Sequence, residues 1–120
     1  MDPRQETDGV PPEGLRYERR QNMATFISLV NLTEQGGRDF KSTPDRAEKF
    51  KAAAQKAGVT VKDIYWTMGR YDVVMTLEAA DDKTAAAALV GLASLGNVKT
   101  QTMRAFSAAE IKEIISKTAK

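Results

Sequence analysis

The chemistry open to this chain rests on carboxylates, guanidinium groups, phenols and hydroxyls, because its 120 residues include neither cysteine nor histidine. No disulfide, thiolate nucleophile or thiolate metal site can form. A transition-metal centre would have to use carboxylates alone, which suits zinc poorly, so no metal and no cofactor are expected. The side chain that titrates nearest neutrality is missing too. What remains is concentrated in two stretches. Tyr65-Trp66-Thr67-Met68-Gly69-Arg70-Tyr71-Asp72 gathers an acid, an arginine, two phenols and a hydroxyl around one glycine. Thr100-Gln101-Thr102-Met103-Arg104 puts an arginine and two threonines at strand spacing on one face.

The first stretch reads as a hairpin. Residues 59–68 and 71–78 are strand-like, and Gly69-Arg70 between them suits a two-residue type II′ turn. Pairing Met68 with Tyr71 places Trp66 opposite Val73 and Ile64 opposite Met75, which makes one face wholly apolar. The other face carries Tyr65, Thr67, Asp72, Val74 and Thr76. A one-residue slip would mix the two sets, so pattern and turn agree. On this reading Gly69 supplies the turn dihedral. Trp66 and Tyr71 belong to the core, Met68, Met75 and Met103 fill gaps in it, and Arg70 is solvated or meets a partner subunit.

Residues 25–32 (TFISLVNL) form a short apolar strand. Residues 33–37 could begin a helical turn weakened by two glycines. Ser42-Thr43-Pro44-Asp45 opens a helix that Gly58 closes, with Ala47, Phe50, Ala54 and Ala57 as its apolar stripe. Asp81-Asp82 begins a second helix that stops at Gly96, and its run Ala85–Ala88 allows close approach to a sheet. Residues 98–106 are the fourth strand. Ser107 and Glu110 form a capping box for a last helix carrying Ile111, Ile114 and Ile115.

This order predicts an α+β, ferredoxin-like βαββαβ fold with sheet order 4-1-3-2 and an extra C-terminal helix. Two helices cover one face of the sheet. The other face is partly apolar, and a second copy of the chain is the simplest cover for it. The third strand is expected to start at the sheet end where the fourth finishes, only the first strand lying between, so Asp72 and Arg104 would be about 10 Å apart. Asp72, Arg104, Tyr65, Thr67 and Thr102 are then the candidate ligand-binding residues, with Arg104 holding a carboxylate or phosphate by its planar fork. A buried salt bridge that sets register or dimer geometry is the structural alternative, and catalysis a third.

A net charge of +2 with acids and bases interleaved offers no stripe for nucleic acid. No apolar run is long enough to span a bilayer and the N-terminus lacks a signal-peptide core, so a soluble cytoplasmic protein is expected. Residues 1–22, rich in proline, glycine and charge, read as a disordered extension or a mis-chosen start, with Met23 a natural initiator. The domain then covers residues 23–120. A chain of this size buries only roughly 60–65% of its unfolded surface, so self-association would help it.

Three segments carry a family resemblance: residues 27–33, 65–74 and 95–106. Taken together they resemble the GYD domain family, with Gly69, Tyr71 and Asp72 matching its name-giving residues. The resemblance implies a ferredoxin-like fold associating as a dimeric α/β barrel, and no known activity. The Gly-x-Tyr-Asp hairpin, the acidic helix start and the Val-x-Thr-x-Thr strand are distantly similar to the effector-binding domain of AsnC-type regulators, whose helix-turn-helix has no counterpart in 22 polar residues. Three functions follow as expectations. One is a homodimer or higher oligomer binding a small polar or anionic metabolite at the subunit boundary. Another is a cofactor-independent enzyme of the dimeric α/β barrel class. The third is a purely structural or protein-interaction dimer.

Overall fold

A computed structural model describes residues 23–119. Residues 1–22, where the sequence predicts a disordered extension, lie outside the described residues.

The strands are β1 (Ala24–Leu32), β2 (Val59–Trp66), β3 (Val73–Ala79) and β4 (Val98–Ala105). The helices are α1 (Glu34–Arg38), α2 (Thr43–Lys56), α3 (Asp82–Ala93) and α4 (Ala108–Ser116). The sheet order is β2-β3-β1-β4 with every pair antiparallel, which is the expected ferredoxin-like arrangement with its extra C-terminal helix. Trp66 pairs with Val73 and Ile64 with Met75, as the face pattern required.

Alternation along β1 and β3 sets the core. Ala24, Phe26, Ser28 and Val30 on β1 and Val73, Met75, Leu77 and Ala79 on β3 are all buried. Phe50 and Ala54 from α2 and Ala85 and Leu89 from α3 cover them. Of the stripe expected on α2, Phe50 and Ala54 are buried, Ala47 is half-buried and Ala57 is exposed. Ser28 is the buried polar residue of this layer, and its hydroxyl pairs with that of Thr102 at 2.9 Å, as a buried polar group must.

The connections differ in detail from the expectation. Ser42 does not cap α2; it ends a 3-10 turn (Phe40–Ser42) and makes no side-chain cap bond. Thr33 does cap α1, accepting from the Gly36 N–H. This turn is stitched to the loop before β4. Thr33 N–H donates to Asn97 O (3.0 Å) and its hydroxyl to Gly96 O (2.6 Å). Gly36 is required here because a Cβ would collide with the Asn97 carbonyl. The capping box of α4 is present, with Ser107 Oγ accepting from Glu110 N–H and Glu110 Oε1 from Ser107 N–H.

Candidate functional site

The hairpin is wider than a two-residue turn. β2 ends at Trp66 and β3 begins at Val73, leaving 67–72 as a loop closed by Thr67 N–H donating to Asp72 O at 2.8 Å. Gly69 sits at its tip with φ +114°, a dihedral that favours glycine. The Thr67 hydroxyl donates to Tyr71 O within the loop (2.6 Å).

Asp72 N–H donates to Val30 O, one position out of the register in which Val30 faces Val73. That irregularity breaks the strict alternation assumed from the sequence. Tyr71 therefore leaves the helix-side core, and its hydroxyl donates to Gln101 Oε1 at 3.1 Å, across the sheet. The Asp72 carboxylate accepts the Leu32 N–H at 2.8 Å, capping the end of β1. Its role in the fold is thus to secure the last backbone donor of a central strand.

Arg104 stands elsewhere. β3 and β4 both run antiparallel to β1, so both begin at the same sheet end and Arg104, near the finish of β4, lies at the other. It faces Phe26, whereas Asp72 is tied to Val30 and Leu32, a separation of about 15 Å along the strand direction. The expected convergence of Asp72 and Arg104 is therefore corrected. The Arg104 guanidinium stacks over Phe106 (4.5 Å) and Phe26 (5.6 Å). It donates to the carbonyls of Thr25 and Ala105 and lies 3.9 Å from Glu110, organising the passage from β4 into α4. Thr102 shares its face, engaged with Ser28. Tyr65 is on the opposite face and 64% exposed. The five residues grouped from the sequence are thus dispersed over both faces and both ends.

Two other features emerge. The first is a cleft of about 490 Å³ between α2, α3 and the sheet. Ile64, Trp66 and Met75 form its floor and Phe50, Ala54, Ala88 and Leu92 its walls. Trp66 is not core but 48% exposed at the cleft's margin. Of the alanines expected to bring α3 close to the sheet, Ala85 is buried against it, whereas Ala87 and Ala88 line this space. The second is uncovered apolar surface. Ile27 and Leu29 on β1, Val74 on β3 and Met103 on β4 share the sheet face away from the helices. Met103 is exposed there rather than packed, and Met68, at the hairpin tip, is 98% exposed. On α4 Ile111, Ile114 and Ile115 are all exposed.

Among the described residues no cluster of three or more acidic side chains could hold a metal ion, and no helix is long and apolar enough to cross a membrane. Asp81, which caps α3, has its carboxyl held below the usual range by the Thr84 hydroxyl and then the Thr84 backbone N–H.

The fold and the Gly69-Arg70-Tyr71-Asp72 hairpin together define the class: this chain belongs to the GYD domain family, whose model matches residues 26–115. A relative from Thermus thermophilus, the glutamine synthetase and cystathionine beta-lyase binding protein, is 38% identical over 90 residues, covering 74% of this chain and 95% of its own. The crystal structure of MtbAldR superposes with a TM-score of 0.57 at 15% identity, covering 89% of this chain and 82% of that one. That likeness is one of fold, the ferredoxin-like fold of AsnC-type regulators.

Proposed function

We propose that this chain is a docking protein that pairs with a copy of itself through the uncovered sheet face and binds metabolic enzymes through its C-terminal helix. The observation that carries this reading is apolar surface left without a partner in two places. On the sheet, Ile27, Leu29, Val74 and Met103 form a patch of the kind that marks an interface. On α4, Ile111, Ile114 and Ile115 follow the i, i+3, i+4 spacing of a helix that lays its apolar side into a groove. A nine-residue helix is marginal alone in water and draws its stability from packing, yet α4 buries none of its residues.

The Thermus relative, a binding protein for two enzymes by its name, supports enzymes of that kind as partners. An enzymatic reading finds less support. The cleft's titratable lining residues are Arg46 and Lys49, with no carboxylate among them to serve as a general acid or base. A metabolite site built on Asp72 and Arg104 loses its premise, since both are engaged within the protein and lie apart.

The test is surface plasmon resonance of the full chain on purified glutamine synthetase and cystathionine β-lyase from the same organism. Saturable binding to at least one is expected, weakened about tenfold or more by I115E, whose site is 60% exposed and outside the core. No binding to either enzyme by the folded chain, or binding that I115E leaves unchanged, would overturn the assignment.

A further inference from the structure

The cleft between α2 and α3 is built to stay open, and its charges have one sign. Beside the larger Phe50 and Leu92, the helices line it mostly with small residues: Ala47, Ala53 and Ala54 on α2, and Ala87, Ala88 and Gly91 on α3. Gly91 is the informative one. It lies inside a helix, where glycine is about 1 kcal/mol worse than alanine. Its φ is not left-handed, and a Cβ there would meet nothing within 4 Å. Neither backbone nor packing calls for glycine; what its hydrogen preserves is empty space at the cleft. The volume of about 490 Å³ falls within the roughly 300–1,000 Å³ of small-molecule pockets.

The lining is apolar except at the rim, where Thr43, Arg46, Lys49 and Asn97 stand. Arg46 is committed to the fold. Its Nη1 donates to Asp39 O (3.0 Å) and Oδ2 (3.3 Å), and its Nη2 to Gly36 O (3.3 Å). Lys49 pairs with no carboxylate among the described residues and is exposed at the mouth. A greasy interior with a cationic rim and no acidic lining matches a molecule with an apolar body and one anionic end. We propose that the cleft binds an organic monocarboxylate with a chain-like or aromatic apolar body, its carboxylate held at the mouth by Lys49. This goes beyond enzyme docking and uses different surfaces, since the cleft lies on the helix side of the sheet and apart from α4.

Trp66 lines the cleft and is the sole tryptophan in the chain, so its fluorescence reports occupancy. The full chain is titrated with decanoate, below its micellar concentration, and with decanol as the uncharged counterpart. A saturable change is expected with both, decanoate binding about five- to tenfold tighter for its charge-assisted contact. K49Q should erase that preference and leave decanol unaffected. G91L should place a side chain in the cleft and weaken both ligands about tenfold or more. Its melting temperature should not fall, because leucine improves a helical position held by glycine. The proposal is overturned by no saturable response to decanoate, by unchanged binding to a folded G91L, or by a preference for decanoate that survives K49Q. Enzyme binding by K49Q and G91L should equal that of the unmodified chain, which keeps the two readings separately testable.

Discussion

Gly36 and Gly37 stand side by side in α1, and the structure predicts opposite outcomes for the same substitution. By helix propensity alone, alanine at either would stabilise by about 1 kcal/mol. At Gly37 a Cβ meets nothing within 4 Å, so G37A should gain about 0.5–1 kcal/mol. At Gly36 the Cβ would run into the Asn97 carbonyl, which is backbone and cannot swing aside. α1 must then move off the loop before β4. That strains or breaks the Thr33 N–H to Asn97 O bond, the Thr33 hydroxyl to Gly96 O bond, and the Gln35 amide contacts with Asn97 Oδ1 (3.0 Å) and Leu95 O (3.2 Å). Three to four such bonds at about 0.5–1.5 kcal/mol each, less the propensity gain of about 1 kcal/mol, leave a net loss of about 0.5–5 kcal/mol. For a domain of this size each kcal/mol lost lowers the melting temperature by roughly 4–8 °C. Urea and thermal unfolding of G36A, G37A and the unmodified chain measure it directly. A G36A protein as stable as G37A would refute the close approach of α1 to residue 97.

Other predictions follow from single contacts. Leu77 is fully buried at the centre of β3, so L77A should cost about 2–5 kcal/mol, read from its urea midpoint. D72A removes the acceptor of the Leu32 N–H and should cost about 1–3 kcal/mol, with faster amide exchange at Leu32 as the specific sign. S107A dismantles the capping box and should fray α4 by about 1 kcal/mol, seen in amide exchange of residues 108–111 while exchange in the sheet is unaffected. Asp81 has its pKa lowered in the fold, so its contribution is present above the unfolded value of 3.8 and is lost as pH falls through the folded value. D81N should therefore flatten the stability profile on that acid side alone.

Much of the fold was legible because alternation in β2 and β3 has one self-consistent pairing. Ile64 with Met75 and Trp66 with Val73 follow from keeping apolar residues on one face. The Ser107–Glu110 box was equally readable, being a local motif with local bonds. The site was legible only in part. Asp72, expected to bind a ligand, instead caps the end of β1. Its supposed partner Arg104 lies far away because two strands antiparallel to the same neighbour must start together, a consequence already contained in the strand order. Tyr71 escaped because the bond from Asp72 to Val30 shifts the register by one, and no sequence pattern announces such an irregularity. Trp66 looked like core because apolar alternation cannot tell a filled space from a vacant one. The signal that could have exposed the cleft was the run of alanines and a glycine on both covering helices, small residues where a packed core would carry larger ones.

The proposed pairing of two chains through the sheet face bearing Leu29 and Val74 is tested most directly by sedimentation equilibrium at low micromolar concentration. A pair weighs twice the 13.2 kDa chain mass, and the mass should fall to that of the single chain in L29E with unchanged circular dichroism. A compact single chain at that concentration, or an L29E protein that stays paired, would contradict it.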